Sequence, residues 1–166
     1  MVTETDLSWL ASFIEAEGSI SSQTYIRKNG NLIITPFIRI TNSSQSAIKE
    51  IKRICAELEI ASKEYWRKPQ YCVNLPVCNV RIEGSYAVGT LIDKILPYMK
   101  TEKIENARKI REFINIRKNG LLTRNNKGQI IRNGYSKYEL ELITSIRHHY
   151  RATPLETLLQ CNNIVA

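Results

Sequence analysis

Apolar residues crowd positions 7, 9, 10, 11, 13, 14 and 16, too many for a single stripe. Residues 7–17 therefore predict a short helix that is covered on more than one side. Asp6 is placed to cap it and Gly18 to stop it. Beyond Gly18 the period drops to two. Ile20, Ser22, Thr24 and Ile26 share one face of a strand over 19–28. Leu32, Ile34, Pro36, Ile38 and Ile40 do the same for a return strand over 31–42, and Asn29-Gly30 between them marks a hairpin turn. The opposite face then carries Ser21, Gln23, Tyr25 and Arg27 beside Thr35, Phe37, Arg39 and Thr41. Pro36 cannot donate to a ladder, so it argues for an edge strand or a bulge.

Ser43 or Ser44 caps a helix over about 45–58, with an apolar stripe of Ile48, Ile51, Ile54, Cys55 and Leu58. Residues 61–68 and 70–83 form a second hairpin turning near Lys68-Pro69-Gln70. Ser85 caps a helix that Pro97 ends, and another follows over 101–117. Residues 117–134 are a basic loop rich in Asn and Gly, and helices over 136–151 and 154–163 close the chain. Arg-Lys-Asn-Gly occurs at both 27–30 and 117–120, but its surroundings differ and no repeat is implied. The order α-β-β-α-β-β-α predicts an α+β fold with helices on one face of an antiparallel sheet. The length fits one domain, with a core over 1–117 and a basic loop and helical extension of the same domain over 118–166. The polar sheet face is either plainly solvated or shaped to enter a DNA major groove.

Net charge is +8, and its distribution matters more than its size. Residues 1–99 are nearly balanced at +1, residues 100–151 carry +8, and the tail carries −1. Such a block fits a polyanion partner, although a merely basic surface would look the same. No apolar run reaches eighteen residues and no basic segment precedes the first apolar stretch, so no membrane partner is expected. An intracellular protein is expected, of prokaryotic or archaeal cytoplasm or of an organelle. Cys55, Cys72, Cys78 and Cys161 match no zinc spacing and read as reduced thiols. His148 and His149 are adjacent and lack a ligand-spaced partner.

Glu15 and Glu17 are the oddity. Two acids in the last turn oppose the helix dipole beside an almost wholly apolar segment. Either a divalent cation compensates, or both are solvated end residues. Two positions apart, they do not share a helical face. One glutamate from each of two chains makes a better carboxylate pair than both from one chain.

The segment Leu10-Ala11-Ser12-Phe13-Ile14-Glu15-Ala16-Glu17-Gly18 resembles the nine-residue motif that names the LAGLIDADG family. Leu10, Ala11 and Gly18 match outright, Phe13 and Ile14 keep the apolar character, and both acidic places hold Glu in place of Asp. Leu96-Pro97-Tyr98-Met99-Lys100-Thr101-Glu102-Lys103 looks like the family's Pro-aromatic-apolar turn into a lysine-bearing helix. The resemblance spans about residues 7–117, and nothing beyond 118 matches it.

What the resemblance implies is a saddle-shaped antiparallel sheet and an intron-encoded homing endonuclease, cutting a long near-palindromic duplex site by metal-dependent hydrolysis. Glu17 falls on the family's main metal-ligand position, and Ala16 would lend its carbonyl. Asn42 falls where a polar residue positions water or metal. Lys103, with Lys100 as a rival, falls where a basic residue sits near the scissile phosphate. Glu15 would be structural. The metal would be Mg²⁺, with Mn²⁺ substituting and Ca²⁺ binding without supporting cleavage. The ends would be short 3′ overhangs.

One motif and one core mean that a second cut needs a second copy, hence a homodimer. Leu10, Phe13 and Ile14 would then face their own core, and Trp9, Ser12 and Ala16 the partner. Burial of the whole helix inside one monomer is the competing reading. On the sheet, Arg27 and Arg39 can read guanine, Gln23 adenine, and Tyr25 or Phe37 a thymine methyl. Ser21, Thr35 and Thr41 complete that face, and Arg67, Asn79 and Arg81 extend it on the second hairpin. Two such sheets would cover roughly 20 base pairs. Lys118, Arg124, Lys127 and Arg132 in the basic segment would grip flanking phosphate. Two alternatives stay open: a maturase binding its intron RNA through Tyr25, Phe37, Tyr65 or Trp66, and an inactive DNA-binding regulator of the same fold.

Overall fold

A computed structural model describes residues 1–28, 31–67, 76–119, 123–124, 130–131, 134–146 and 154–163, with 123–124, 130–131 and 161–163 as backbone only. Helix α1 (Glu4–Glu17) leads into β1 (Gly18–Ile26) and β2 (Leu32–Asn42). Helix α2 (Gln45–Glu57), β3 (Ser62–Arg67), β4 (Val77–Glu83) and α3 (Ser85–Ile95) complete the expected order. A 3₁₀ turn (Leu96–Tyr98), α4 (Lys103–Asn119), β5 (Thr123–Arg124), β6 (Ile130–Ile131), α5 (Lys137–Thr144) and α6 (Leu155–Asn163) follow. The main sheet is antiparallel in the order β1-β2-β4-β3. The α+β expectation holds. Both hairpin turns, Cys72, His148 and His149 lie outside the described residues.

Several boundaries differ from the sequence expectation. Thr3, not Asp6, caps α1; Asp6 is the third helical residue and returns the bond, its carboxylate accepting from the Thr3 N–H at 2.8 Å. This reciprocal box begins the helix three residues earlier than the apolar run does. Arg53 of α2 then ties Asp6 to Glu50 and Glu57. Gly84, not Ser85, is the cap position of α3, at φ +93, where a side chain would be strained. Pro97 sits inside the 3₁₀ turn that follows α3. Arg117 and Lys118 are helical, because α4 runs to Asn119.

Pro36 lies in an inner strand, contrary to the edge expectation. Its pairing explains why. In an antiparallel strand the nitrogen and carbonyl of one residue point the same way. The Pro36 carbonyl accepts from the Gly84 N–H at 3.0 Å, so its nitrogen faces the β4 side. The ladder with β4 starts only at Phe37, so no ladder bond is lost. Two residues back, the Ile34 N–H on that same side donates to the Tyr135 hydroxyl at 3.0 Å.

The strand alternation sets the core. Ile20, Leu32, Ile34, Ile38, Ile40, Cys78, Val80 and Ile82 are buried under α1, α3 and α4. Burial pushes the Cys55 thiol up to about 11, which leaves it protonated and unreactive. Leu140, Ile143, Ile146 and Leu158 join the same buried cluster from the C-terminal helices. Tyr135 stacks on Phe113 at 6.0 Å and lies under the Arg117 guanidinium at 4.5 Å. Among the described residues no helix is long and apolar enough to cross a membrane.

Candidate active site and nucleic-acid interface

Helix α1 has no basic residue in its last turn, so its C-terminal carbonyls lack local compensation. The compensation comes from 85 residues and more downstream. The Lys103 ammonium, at the start of α4, donates to the carbonyls of Glu15 at 2.6 Å, Gly18 at 2.8 Å and Ile14 at 3.4 Å. Gly18 permits this tight exit into β1. A Cβ there would stand 2.7 Å from the Ile14 oxygen and 2.9 Å from its Cα, both backbone. With φ at −101, the glycine is required for space and not for a left-handed turn.

Glu15 is fixed from the same side. One carboxylate oxygen accepts from the backbone N–H of Lys100 at 2.7 Å and of Thr101. Burial alone would raise its pKa, but the bonds from Thr101 and Lys100 and the charge of Lys103 outweigh it and hold the carboxyl below the usual range. Glu15 therefore joins α1 to the turn before α4, a structural part as expected. Lys103, and not Lys100, is the lysine brought to the helix end; the Lys100 side chain is exposed and only its backbone takes part.

Glu17 contrasts with Glu15. It is exposed, as is Ala16, and makes no hydrogen bond or ion pair among the described residues. Asn42 closes β2 two residues beyond the partner of Gly18. Its side-chain oxygen accepts from the Ser44 N–H at 2.7 Å and so shapes the entry to α2. Among the described residues no three acidic, histidine or cysteine side chains converge as a metal cage. What this end of α1 offers is a carboxylate and a helix-terminal carbonyl. These hard oxygen donors suit Mg²⁺, Mn²⁺ or Ca²⁺ and need further oxygen ligands from outside the chain.

The outward stripe of α1 holds Ser8, Trp9, Ser12, Phe13 and Ala16. Ser8, Ser12 and Ala16 are exposed, and the Ser12 hydroxyl donates back to the Ser8 carbonyl at 3.0 Å. Phe13 is half-buried and packs against the core, as Trp9 also does. Leu10, Ala11 and Ile14 fill the core, while Phe13 pairs with Trp9 one turn earlier at 5.0 Å between ring centroids.

The outer sheet face has no buried hydrophobic residue among those described. Gln23, Tyr25, Arg27, Arg39 and Arg67 are exposed on it, and Thr35, Phe37, Thr41 and Arg81 are partly covered. Ser21 and Asn79 share the face but are buried, and the Asn79 oxygen accepts from the Thr41 hydroxyl at 2.7 Å. Register aligns Arg39, Arg81 and Lys63 across three strands. Lys63 and Tyr65 also belong here; the alternation that selects Arg67 would have selected them too. Lys118 is exposed at the end of α4, the side chain of Arg124 is not described, and Lys127 and Arg132 lie outside the described residues.

Residues 4–116 match the family model of a LAGLIDADG-like domain. No curated protein sequence matches the chain. Solved structures agree on the fold. The homing endonuclease I-CvuI, in complex with its target in the presence of 2 mM Ca, superposes with a TM-score of 0.69 at 17% identity over 98% of this chain and 95% of that one. The archaeal intron-encoded homing endonuclease I-Vdi141I, complexed with DNA, gives 0.66 at 20% identity over 97% and 96%. The meganuclease I-CpaMI, bound to uncleaved DNA, gives 0.65 at 16% identity, with 95% of this chain covering 49% of that one.

Proposed function

We propose, because this chain belongs to the LAGLIDADG family, that it is a site-specific endonuclease that binds duplex DNA as a homodimer and hydrolyses both strands with Mg²⁺. The observation that carries this reading is the end of α1, where a Glu17 carboxylate without a partner among the described residues stands on a helix otherwise tied down by Lys103 and Glu15. A carboxylate left free beside fixed carbonyls is a ligand awaiting partners. The exposed Ser8, Ser12 and Ala16, flanked by the half-buried Trp9 and Phe13, would give a second copy a surface on which to bring its own Glu17 alongside. Covering half of I-CpaMI with one chain is consistent with two copies doing the work of the longer protein.

Glu17 and the Ala16 carbonyl would hold the cation, which supplies an activated water and charge neutralisation at the phosphate when bound. Lys103 holds its ammonium at the helix end, where it favours the negative charge that gathers on a pentavalent phosphate. Asn42, whose amide nitrogen has no partner among the described residues, would donate to water or to a phosphate oxygen. The polar sheet face would lie along the major groove, with Gln23, Arg27, Arg39, Lys63 and Arg67 toward bases and phosphates. Lys118 and the basic segment beyond it would bind flanking phosphate. An RNA-stacking platform finds less support, because Trp66 lies on the opposite face of β3 from Tyr65 and Phe37 is covered by Arg81.

Selection of bound and cut duplexes from a randomised library tests the proposal. The expected result is a near-palindromic site cleaved on both strands with Mg²⁺ or Mn²⁺ and bound uncut with Ca²⁺. Tight duplex binding without cleavage would leave the inactive regulator as the answer.

A further inference from the structure

Arg81 was expected to read a base, but its surroundings give it another task. Its guanidinium lies over the Phe37 ring at 4.5 Å. Its Nε is 2.5 Å from a Glu83 carboxylate oxygen, and Glu83 also pairs with Lys63 at 3.2 Å. Its Nη2 donates to the Gln23 side-chain oxygen at 2.6 Å, two strands away. Nη2 is thereby engaged as a donor, while Nε is buried against the Glu83 charge without a hydrogen bond of its own. Arg39, directly opposite on β2, is exposed and has no such partners among the described residues. Glu83 offsets the repulsion that Arg39, Arg81 and Lys63 would otherwise feel in one cross-strand row.

The consequence falls on Gln23. Arginine only donates hydrogen bonds, so the atom it meets at 2.6 Å must be the amide oxygen. The amide NH₂ is thus turned away from Arg81 and, among the described residues, has no partner on this exposed side chain. An unconstrained glutamine reads adenine by accepting from N6 and donating to N7. With its oxygen drawn toward Arg81, Gln23 turns its NH₂ outward and presents donors. Guanine, with acceptors at both N7 and O6, suits two donors; cytosine, with a donor at N4, does not.

We propose that Arg81 is a positioning residue that fixes Gln23 as a hydrogen-bond donor, so that Gln23 selects guanine over adenine at its base pair. The inference rests on the reading that this sheet face contacts duplex DNA. The test uses the full chain, Ca²⁺ and a randomised duplex library, with bound sequences compared between variants. The pair whose preference Gln23→Ala erases is the Gln23 position. Wild type should favour guanine there by about tenfold over adenine. Arg81→Met should shift that pair toward adenine while leaving the others unchanged, and should have no effect there once Gln23 is alanine. Glu83→Gln, which loosens Arg81 without removing it, should move the pair in the same direction by less, and decides the matter if Arg81→Met fails to fold. An unchanged preference in Arg81→Met and Glu83→Gln, or an equal loss at every position, overturns the inference. So does a Gln23→Ala profile identical to wild type. Absence of any duplex binding by the wild type would instead overturn the function on which it rests.

Discussion

Helix α1 ends in two glutamates that differ in everything except chemistry. Glu15 faces the body of the protein, and backbone N–H groups of Lys100 and Thr101 take its charge. Glu17, about 200° round the helix, faces away and has no partner among the described residues. Earlier turns of the helix also divide, but along another line, because Glu17 projects close to the azimuth of Leu10 and Glu15 close to that of Ser8. Leu10, Ala11 and Ile14 are fully buried, while Ser8, Ser12 and Ala16 are exposed. Each division sets residues that the chain itself holds against residues that it leaves exposed.

That division can be broken from either side. Glu17→Gln should cost about a thousandfold in cleavage rate, read on a selected duplex, while the melting temperature stays put. A fall in melting temperature would move Glu17 to the held side. Gly18→Ala forces backbone apart at the point where both sides meet. It should destabilise by about 2 kcal/mol, roughly 4–8 °C in melting temperature by calorimetry.

Glu15→Ala leaves two N–H groups without their acceptor, a loss of about 1–2 kcal/mol in urea unfolding, with duplex contacts on the sheet intact. The same residue gives a pH dependence. Its carboxyl titrates below the usual range when folded, so its contribution is present above about pH 4.3 and is lost as pH falls through the folded value. Glu15→Gln should flatten the stability profile in that acid window and not near neutrality. Ser12→Glu is the gentlest probe, since the outer stripe tolerates a charge in a lone protomer. It should weaken self-association about tenfold by sedimentation, with unfolding unaltered. Stability lost instead would show that the stripe is packed within one chain.

Much of this division can be read before any coordinates, because α1 is apolar all round while carrying two acids. The order of elements and the two strand faces follow from periods of 3.6 and 2. Other features depend on separations no pattern reveals. Nothing near Lys103 in sequence points to carbonyls 85 or more residues away. Phe13 is apolar enough for full burial, and nothing in the pattern shows that it stays half-covered at the core's edge beside Trp9. Arg81 fits a groove-reading cation on pattern, and it takes Phe37, Glu83 and Gln23 together to show that it is engaged. Tyr135, in a segment resembling nothing, becomes meaningful only as the acceptor of a strand's N–H.

That acceptor has a consequence for how the protein survives in a crowded cell. Among the described residues, positions 32–36 of β2 have no strand beside them on the β4 side. A vacant run of backbone donors is where a foreign strand adds on and fibrils begin. Here Pro36 has no donor to give, and Ile34 has already given its own to Tyr135. A chain cut short before residue 135 would uncover that amide and, with it, a template for aggregation.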